Sequence, residues 1–278
     1  MTRLAANLTL LFGDVEFLDR FEAAANAGFR GVEFLFPYGY DATALMSRLR
    51  EHGLVQVLHN LPAGNWGEGE RGIACLPDRV EEFKAGVEQA IEYAGALGCD
   101  RVNCLAGILP PAVSAAAARE TFVRNLRYAA SRLKTAGIKL LIEPINTRDI
   151  PGFFLSGTSQ AIEIIDAAGS DNLWLQYDIY HMQIMEGDVA AAIERLLPRI
   201  AHIQLADVPG RHEPGTGSID FGLLLPLIDR LGYDGWIGCE YVPAAGTVAG
   251  LGWADAYGVR SGSPPFPQEP VEKVKIQI

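Results

Sequence analysis

Residues 138–144 read IKLLIEP: four apolar side chains around one lysine, then Glu143 and a proline that stops the run. Three later segments have the same form, with a polar residue at or near the end. They are LWLQYD (173–178, Asp178), IAHIQL (200–205, Gln204) and WIGCEY (236–241, Glu240). Short, largely apolar runs of this kind are the pattern of strands buried on both faces. The polar ends lie 35 (178−143), 26 (204−178) and 36 (240−204) positions apart, close to one strand-plus-helix unit. In a closed parallel barrel all strand C-termini meet on one face, so the four end residues converge. Three carboxylates and a carboxamide brought together need a cation between them, and hard divalent ions prefer such oxygen donors.

Four more runs precede these: RLAANL (3–8), RGVEFLF (30–36), LVQVLH (54–59) and RVNCLAG (101–107). Helical periodicity separates them. Phe17, Leu18, Phe21, Ala24 and Ala25 share a face over 17–29, and Val80, Phe83, Val87, Ile91 and Ala94 form a stripe over 80–98. A third helix is expected over 121–137, ending at Gly137. Eight strands alternating with helices predict an α/β fold, a (β/α)8 TIM barrel forming a single domain over 1–258. The proline-rich tail, 259–278, is expected to lie outside the barrel. No GxGxxG turn follows the first strand, which argues against a doubly wound dinucleotide fold. Two long segments, 60–78 and 145–157, follow strands three and five, and their Gly, Pro and aromatic content suits a lid over a small ligand.

The chain has 278 residues, 49% of them hydrophobic, with a formal charge of −11. That composition describes a folded globule, and the absence of a basic stripe opposes nucleic-acid binding. Four cysteines without CxxC spacing read as buried thiols in a reducing, cytoplasmic compartment. No membrane-spanning or targeting segment is evident.

Around the predicted cation site stand further candidates. His59 ends strand three and His181 follows Asp178 by three residues, so both are placed to hydrogen-bond substrate oxygens. His202 shares a strand face with Gln204 and reads as a core histidine. Arg71, in the GERG turn, and Arg211, in PGRHEPGTG, are the candidate clamps for a substrate carboxylate. Glu33 reads as either a pocket acid or a structural one. Oxygen-only ligation by Glu143, Asp178, Gln204 and Glu240 favours Mg²⁺ or Mn²⁺ over zinc.

The runs ANLTLLFG, GVEFLFPY, LHNLPAGNW, GERGIAC, IEPIN, IPGFFL, QYDIYHMQIMEG, HIQLAD, RHEPGTG and GCEY resemble those of the hydroxypyruvate isomerase family. That family lies within the xylose-isomerase-like TIM barrels, and the resemblance extends from about Ala5 to about Gly258. It implies interconversion of hydroxypyruvate and 2-hydroxy-3-oxopropanoate without an organic cofactor. Glu143 and Glu240 match the family's proton donor/acceptor pair, and Asp178 and Gln204 complete its metal site. Gln204 departs from the related ketose 3-epimerases, which carry histidine there. Isomerisation of 2-oxo-tetronates is the sister activity. A metal-dependent phosphodiesterase is opposed by the acidity and by only five histidines; a non-catalytic sugar-acid binder is opposed by the carboxylate set. The expected partner is a small hydroxy or oxo acid, with neither nucleic acid nor membrane, and self-association stays open.

Overall fold

The computed structural model describes residues 2–260. Eight parallel strands close into a barrel in sequence order: β1 Arg3–Asn7, β2 Gly31–Glu33, β3 Val55–Asn60, β4 Arg101–Cys104, β5 Lys139–Ile142, β6 Leu173–Asp178, β7 Ile200–Leu205 and β8 Trp236–Cys239. Pairing of Arg3 with Trp236 through Ala6 with Cys239 joins β8 back to β1. The predicted (β/α)8 barrel is therefore the observed one, and all eight predicted runs contain a strand. Closure removes both sheet edges, so each apolar run is covered outside by helices and inside by opposing strands.

Helices α1 Arg20–Asn26, α2 Ala42–Glu51, α3 Val80–Leu97, α4 Ala115–Thr135, α5 Thr158–Ala168, α6 Ile179–Met185, α7 Val189–Leu196 and α8 Phe221–Arg230 form the outer layer. On α3 the residues Phe83, Val87, Ala90, Ala94 and Leu97 are buried, the helical stripe turned to the barrel. Two boundaries differ from expectation. The first helix is shorter, because 17–19 wind as a 3-10 turn before α1. Helix α4 starts six residues before 121, because the Ser114 hydroxyl accepts the Ala117 N–H and nucleates a turn that apolar spacing does not mark. Of the predicted tail, Val259 is buried and Arg260 N–H donates to the Ala27 carbonyl at 2.9 Å, while 261–278 lie outside the described residues.

Inside, the barrel is layered. At the N-terminal end Ala5, Val57, Leu58 and Leu141, with Trp174 and Trp236, make an apolar plug. Above it comes a buried polar layer that includes Asn7, Glu33, Asn103, Gln176, His202 and Gln204. Buried polar groups need hydrogen-bond partners, and Asn7, Glu33, His202, Gln204 and Gln176 bond to one another, while Asn103 bonds to Asn60 and Glu143. On top, just past the ends of β5 and β8, sit Glu143 and Glu240.

Candidate active site

Glu143, Asp178 and Glu240 are 4%, 1% and 6% exposed, so three carboxylates share the floor of the C-terminal face. Glu143 Oε2 accepts from Asn103 Nδ2 at 2.9 Å, and the same amide nitrogen reaches Asn60 Oδ1 at 3.2 Å. Asp178 caps α6, its Oδ1 taking the Tyr180 N–H at 2.7 Å, while its buried Oδ2 has no hydrogen bond. Glu240 Oε2 accepts from Arg211 Nη2 at 3.0 Å, and the same nitrogen stands 3.7 Å from Asp178 Oδ2. One guanidinium faces three carboxyl groups; ionised together they would carry two negative charges beyond it, the charge of one divalent cation. Glu143, Asp178 and His181 present ligand atoms all within 4.8 Å of one another, a buried group that could hold a metal ion.

The electrostatics follow from burial. It is the main cause that lifts Glu143 well above the ordinary carboxyl range, and the charges of Glu240 and Asp178 add to it. Burial likewise pushes Glu240 up to about 8, with Arg211 pulling the other way. His181 is held down to about 4, again first by burial.

The tautomer of His181 is set by its neighbours. Asn146 Oδ1 accepts the N–H groups of Arg148 and Asp149 (3.1 and 2.8 Å), so its amide nitrogen must face His181 Nδ1, 2.7 Å away. Nδ1 is then the acceptor and the proton resides on Nε2. That N–H points into the centre, 3.5 Å from Asp178 Oδ2 and 4.0 Å from Glu143 Oε1. Asp149 anchors the arrangement by accepting from both Asn146 and the Tyr180 hydroxyl at 2.9 Å. Arg211 lies over the Tyr180 ring at 5.2 Å, and its Nε is buried without a partner.

Gln204 sits beside Asp178 in register. Its Nε2 donates to Glu33 Oε1 at 2.7 Å and its Oε1 accepts from Gln176 Nε2 at 2.5 Å. A carboxamide oxygen has two lone pairs, so one stays open for a cation.

Two predicted residues are not brought to this centre. His59 is a correction: its ring lies 6.1 Å from Tyr38 and against the backbone of Ala90 on α3. Alternation along β3 then turns Asn60, not His59, towards Asn103 and Glu143. Arg71 stays within its loop, donating to the carbonyls of Trp66 and Glu70 and lying 4.2 Å over the Trp66 ring. The Glu70 carboxylate is taken by Arg79 at 2.7 Å. Conversely, Asn60, Asn103, Asn146, Asp149, Gln176 and Tyr180 are part of the site and were not predicted. Asn146 and Tyr180 stood in view in IEPIN and QYDIYH, but an amide and a phenol carry no charge to single them out.

Residues 21–257 match the profile of the xylose isomerase-like TIM barrels. Hydroxypyruvate isomerase of Escherichia coli (strain K12) is 54% identical over 257 residues, covering 92% of this chain and all of the relative. A 2-oxo-tetronate isomerase of Cupriavidus necator is 49% identical, covering 92% and 99% of the two chains. Among solved structures, a protein described as AP endonuclease, family 2, from Brucella melitensis superposes with a TM-score of 0.90 at 44% identity, covering 92% of this chain and 99% of its own.

Proposed function

The chain belongs to the xylose isomerase-like TIM-barrel family, and from that premise we propose that it interconverts hydroxypyruvate and 2-hydroxy-3-oxopropanoate. The observation that carries the reading is the pair of buried glutamates, Glu143 and Glu240, flanking the unpartnered Asp178 Oδ2 and the unpartnered Arg211 Nε. Hydroxypyruvate has a ketone at C2 between a carboxylate and a CH₂OH group. Moving the carbonyl to C3 requires loss of a C3 proton to give an enediolate, return of a proton at C2, and net transfer of the O3 hydroxyl proton to O2.

Glu143 is assigned the base at C3 and Glu240 the acid at C2, roles exchanged in the reverse direction. His181 Nε2–H is assigned to the oxygen on which negative charge develops, because its proton is fixed by Asn146 and aimed inward. Arg211 takes the substrate carboxylate, using donors beyond the Nη2 that serves Glu240. Arg71 remains a second candidate for that clamp, with its Nη1 bound to the carbonyls of Trp66 and Glu70 in this structure. Glu143, Asp178, Gln204 and Glu240 would hold a divalent cation, and the oxygen-rich set fits Mg²⁺ or Mn²⁺. When bound, such an ion would supply positive charge among these carboxyl groups and Lewis acidity towards substrate oxygen. Four buried cysteines with no disulfide fit a reducing, cytoplasmic setting. No helix among the described residues is long and apolar enough to cross a membrane.

The 49% relative gives the C4 substrate specific standing as a second reading. Proton NMR in D₂O with the Mn²⁺- or Mg²⁺-loaded protein, offering hydroxypyruvate and a 2-oxo-tetronate in turn, ranks the two. It also tests the enediolate, which requires solvent deuterium in product or recovered substrate. Label retained wholly within the molecule would replace proton transfer by hydride transfer. Neither substrate turning over would remove the isomerase reading.

Two results are expected alongside. Arg211→Gln raises KM for hydroxypyruvate about 10–100-fold, the worth of a hydrogen bond from a charged group to a carboxylate, in steady-state assays. An unchanged KM assigns the carboxylate to another residue. The second concerns pH. Glu143 and Glu240 are held above the ordinary carboxyl value of 4.5, so the native state keeps protons the unfolded chain has lost. The contribution of Glu240 is therefore lost as pH rises towards about 8, and that of Glu143 changes in the same direction. His181 acts oppositely but only below its ordinary 6.5. Between about 6.5 and 8 the thermal midpoint of cation-free protein falls with pH, and saturating Mn²⁺ flattens the slope. A cation-free midpoint that rises through this window contradicts the charge balance drawn here.

A further inference from the structure

We propose that Glu33 is a positioning residue of the cation site, dictating through hydrogen bonding which end of the Gln204 carboxamide is presented towards the strand carrying Asp178. The inference rests on the cation reading above. Glu33 closes β2 and is 1% exposed, yet it reaches across the barrel to β7. Its Oε1 accepts from Asn7 Nδ2 at 3.0 Å and Gln204 Nε2 at 2.7 Å, and its Oε2 lies 2.7 Å from His202 Nε2. The space it crosses is kept open by Gly238 on β8, where a Cβ would collide with the Glu33 carboxyl group. A side chain at 238 and this placement of Glu33 exclude each other.

The direction of the network follows from donor and acceptor chemistry. Asn7 Oδ1 accepts the Thr9 N–H, so its NH₂ group faces Glu33 and Glu33 Oε1 is an acceptor; the Gln204 end facing that oxygen must then be the NH₂ group. The Gln204 oxygen is then turned to the β6 side, where the Gln176 amide is obliged to present its own NH₂ group. Glu33 thus sets the polarity of a chain of two amides. One lone pair on the Gln204 oxygen is left unused, on the side of the barrel where Asp178 stands next in register. Without an obligate acceptor at 33 the amide can rotate by half a turn and offer hydrogens to the cation instead. Groups that orient metal ligands in this way are worth about 10–100-fold in metal affinity.

A simple structural role for a buried acid would weaken folding without acting through Gln204, and a double-mutant cycle separates the two. Mn²⁺ affinity is measured by titration calorimetry or electron paramagnetic resonance on wild type, Glu33→Gln, Gln204→Leu and the double variant. Circular dichroism verifies that each is folded. Glu33→Gln is expected to weaken Mn²⁺ binding at least 10-fold, and to add little once Gln204 is already leucine. Wild-type affinity in Glu33→Gln, or a loss that adds in full to that of Gln204→Leu, overturns the proposal. If Glu33→Gln does not fold, Glu33→Asp, which keeps the carboxyl group but withdraws it by one methylene, enters the same cycle with the same expectations. Failure of the wild type itself to bind Mn²⁺ or Mg²⁺ removes the cation reading, an outcome distinct from tight binding by every variant.

Discussion

Glu143→Gln lowers kcat by about 10²–10⁴-fold while leaving the barrel folded, the usual worth of a positioned acid–base group. The substitution keeps the shape of the side chain and its contact with Asn103 Nδ2, which needs only an oxygen acceptor. It removes the proposed base. Burial among carboxylates already disfavours the charged form of Glu143, so a neutral amide at that position costs no buried charge. The cation-free variant should therefore melt no lower than wild type, and its loss of rate is not a loss of structure. Steady-state kinetics with hydroxypyruvate, together with exchange of the C3 proton in D₂O, provide the measurement. If exchange at C3 persists at the wild-type rate while net turnover falls, Glu143 acts on the return of the proton instead. A variant with near wild-type kcat ends its assignment as base in either direction.

Asp207→Ala is expected to cost about 3–4 kcal/mol, or about 10 °C in thermal midpoint. Asp207 follows β7 and is fully buried. Its Oδ1 accepts the N–H groups of Val208 and Ile219 at 2.8 and 3.0 Å; its Oδ2 accepts those of Gly215 and Gly217 at 3.0 and 2.8 Å. One carboxylate thus ties down both ends of the loop 208–219. Arg211 stands in that loop with φ +57, a left-handed conformation that a residue with a Cβ adopts at a cost, and its N–H is held by the Asp207 carbonyl at 3.1 Å. Loss of the carboxylate frees the loop and with it the guanidinium beside Glu240. KM for the carboxylate substrate should therefore rise together with the fall in stability. Calorimetric melting and steady-state kinetics decide the matter, and a midpoint within 2 °C of wild type would show that the loop holds without Asp207.

The barrel was legible because a strand buried on both faces must be apolar along its length, and eight such runs separated by helical periodicity admit few topologies. Spacing also pointed to Glu143, Asp178, Gln204 and Glu240, since parallel strands deliver their ends to one face. Facing was less legible. His59 and Asn60 are adjacent, and which of them looks inward depends on the parity of β3. The β2–β3 register shifts between Val32 and Glu33, and a one-residue slip reverses every side chain. No local pattern in LVQVLH announces that shift. Helix α4 shows the same limit at another scale, its first turn being set by a serine cap.

The amino-acid sequence by itself determined the repeating unit, the closed barrel and the set of acids at strand ends, because these depend on hydrophobic periodicity and on spacing along one chain. Only the tertiary structure decided what surrounds those acids. Asn146 sets the proton of His181, Arg211 pairs with Glu240, and Glu33 crosses from β2 to orient Gln204 on β7, 171 residues away. Amides and buried carboxylates are indistinguishable in sequence from ordinary polar residues. Their roles arise from which donor meets which acceptor inside the closed barrel, and that pairing exists only once side chains far apart in the chain are brought within hydrogen-bonding distance.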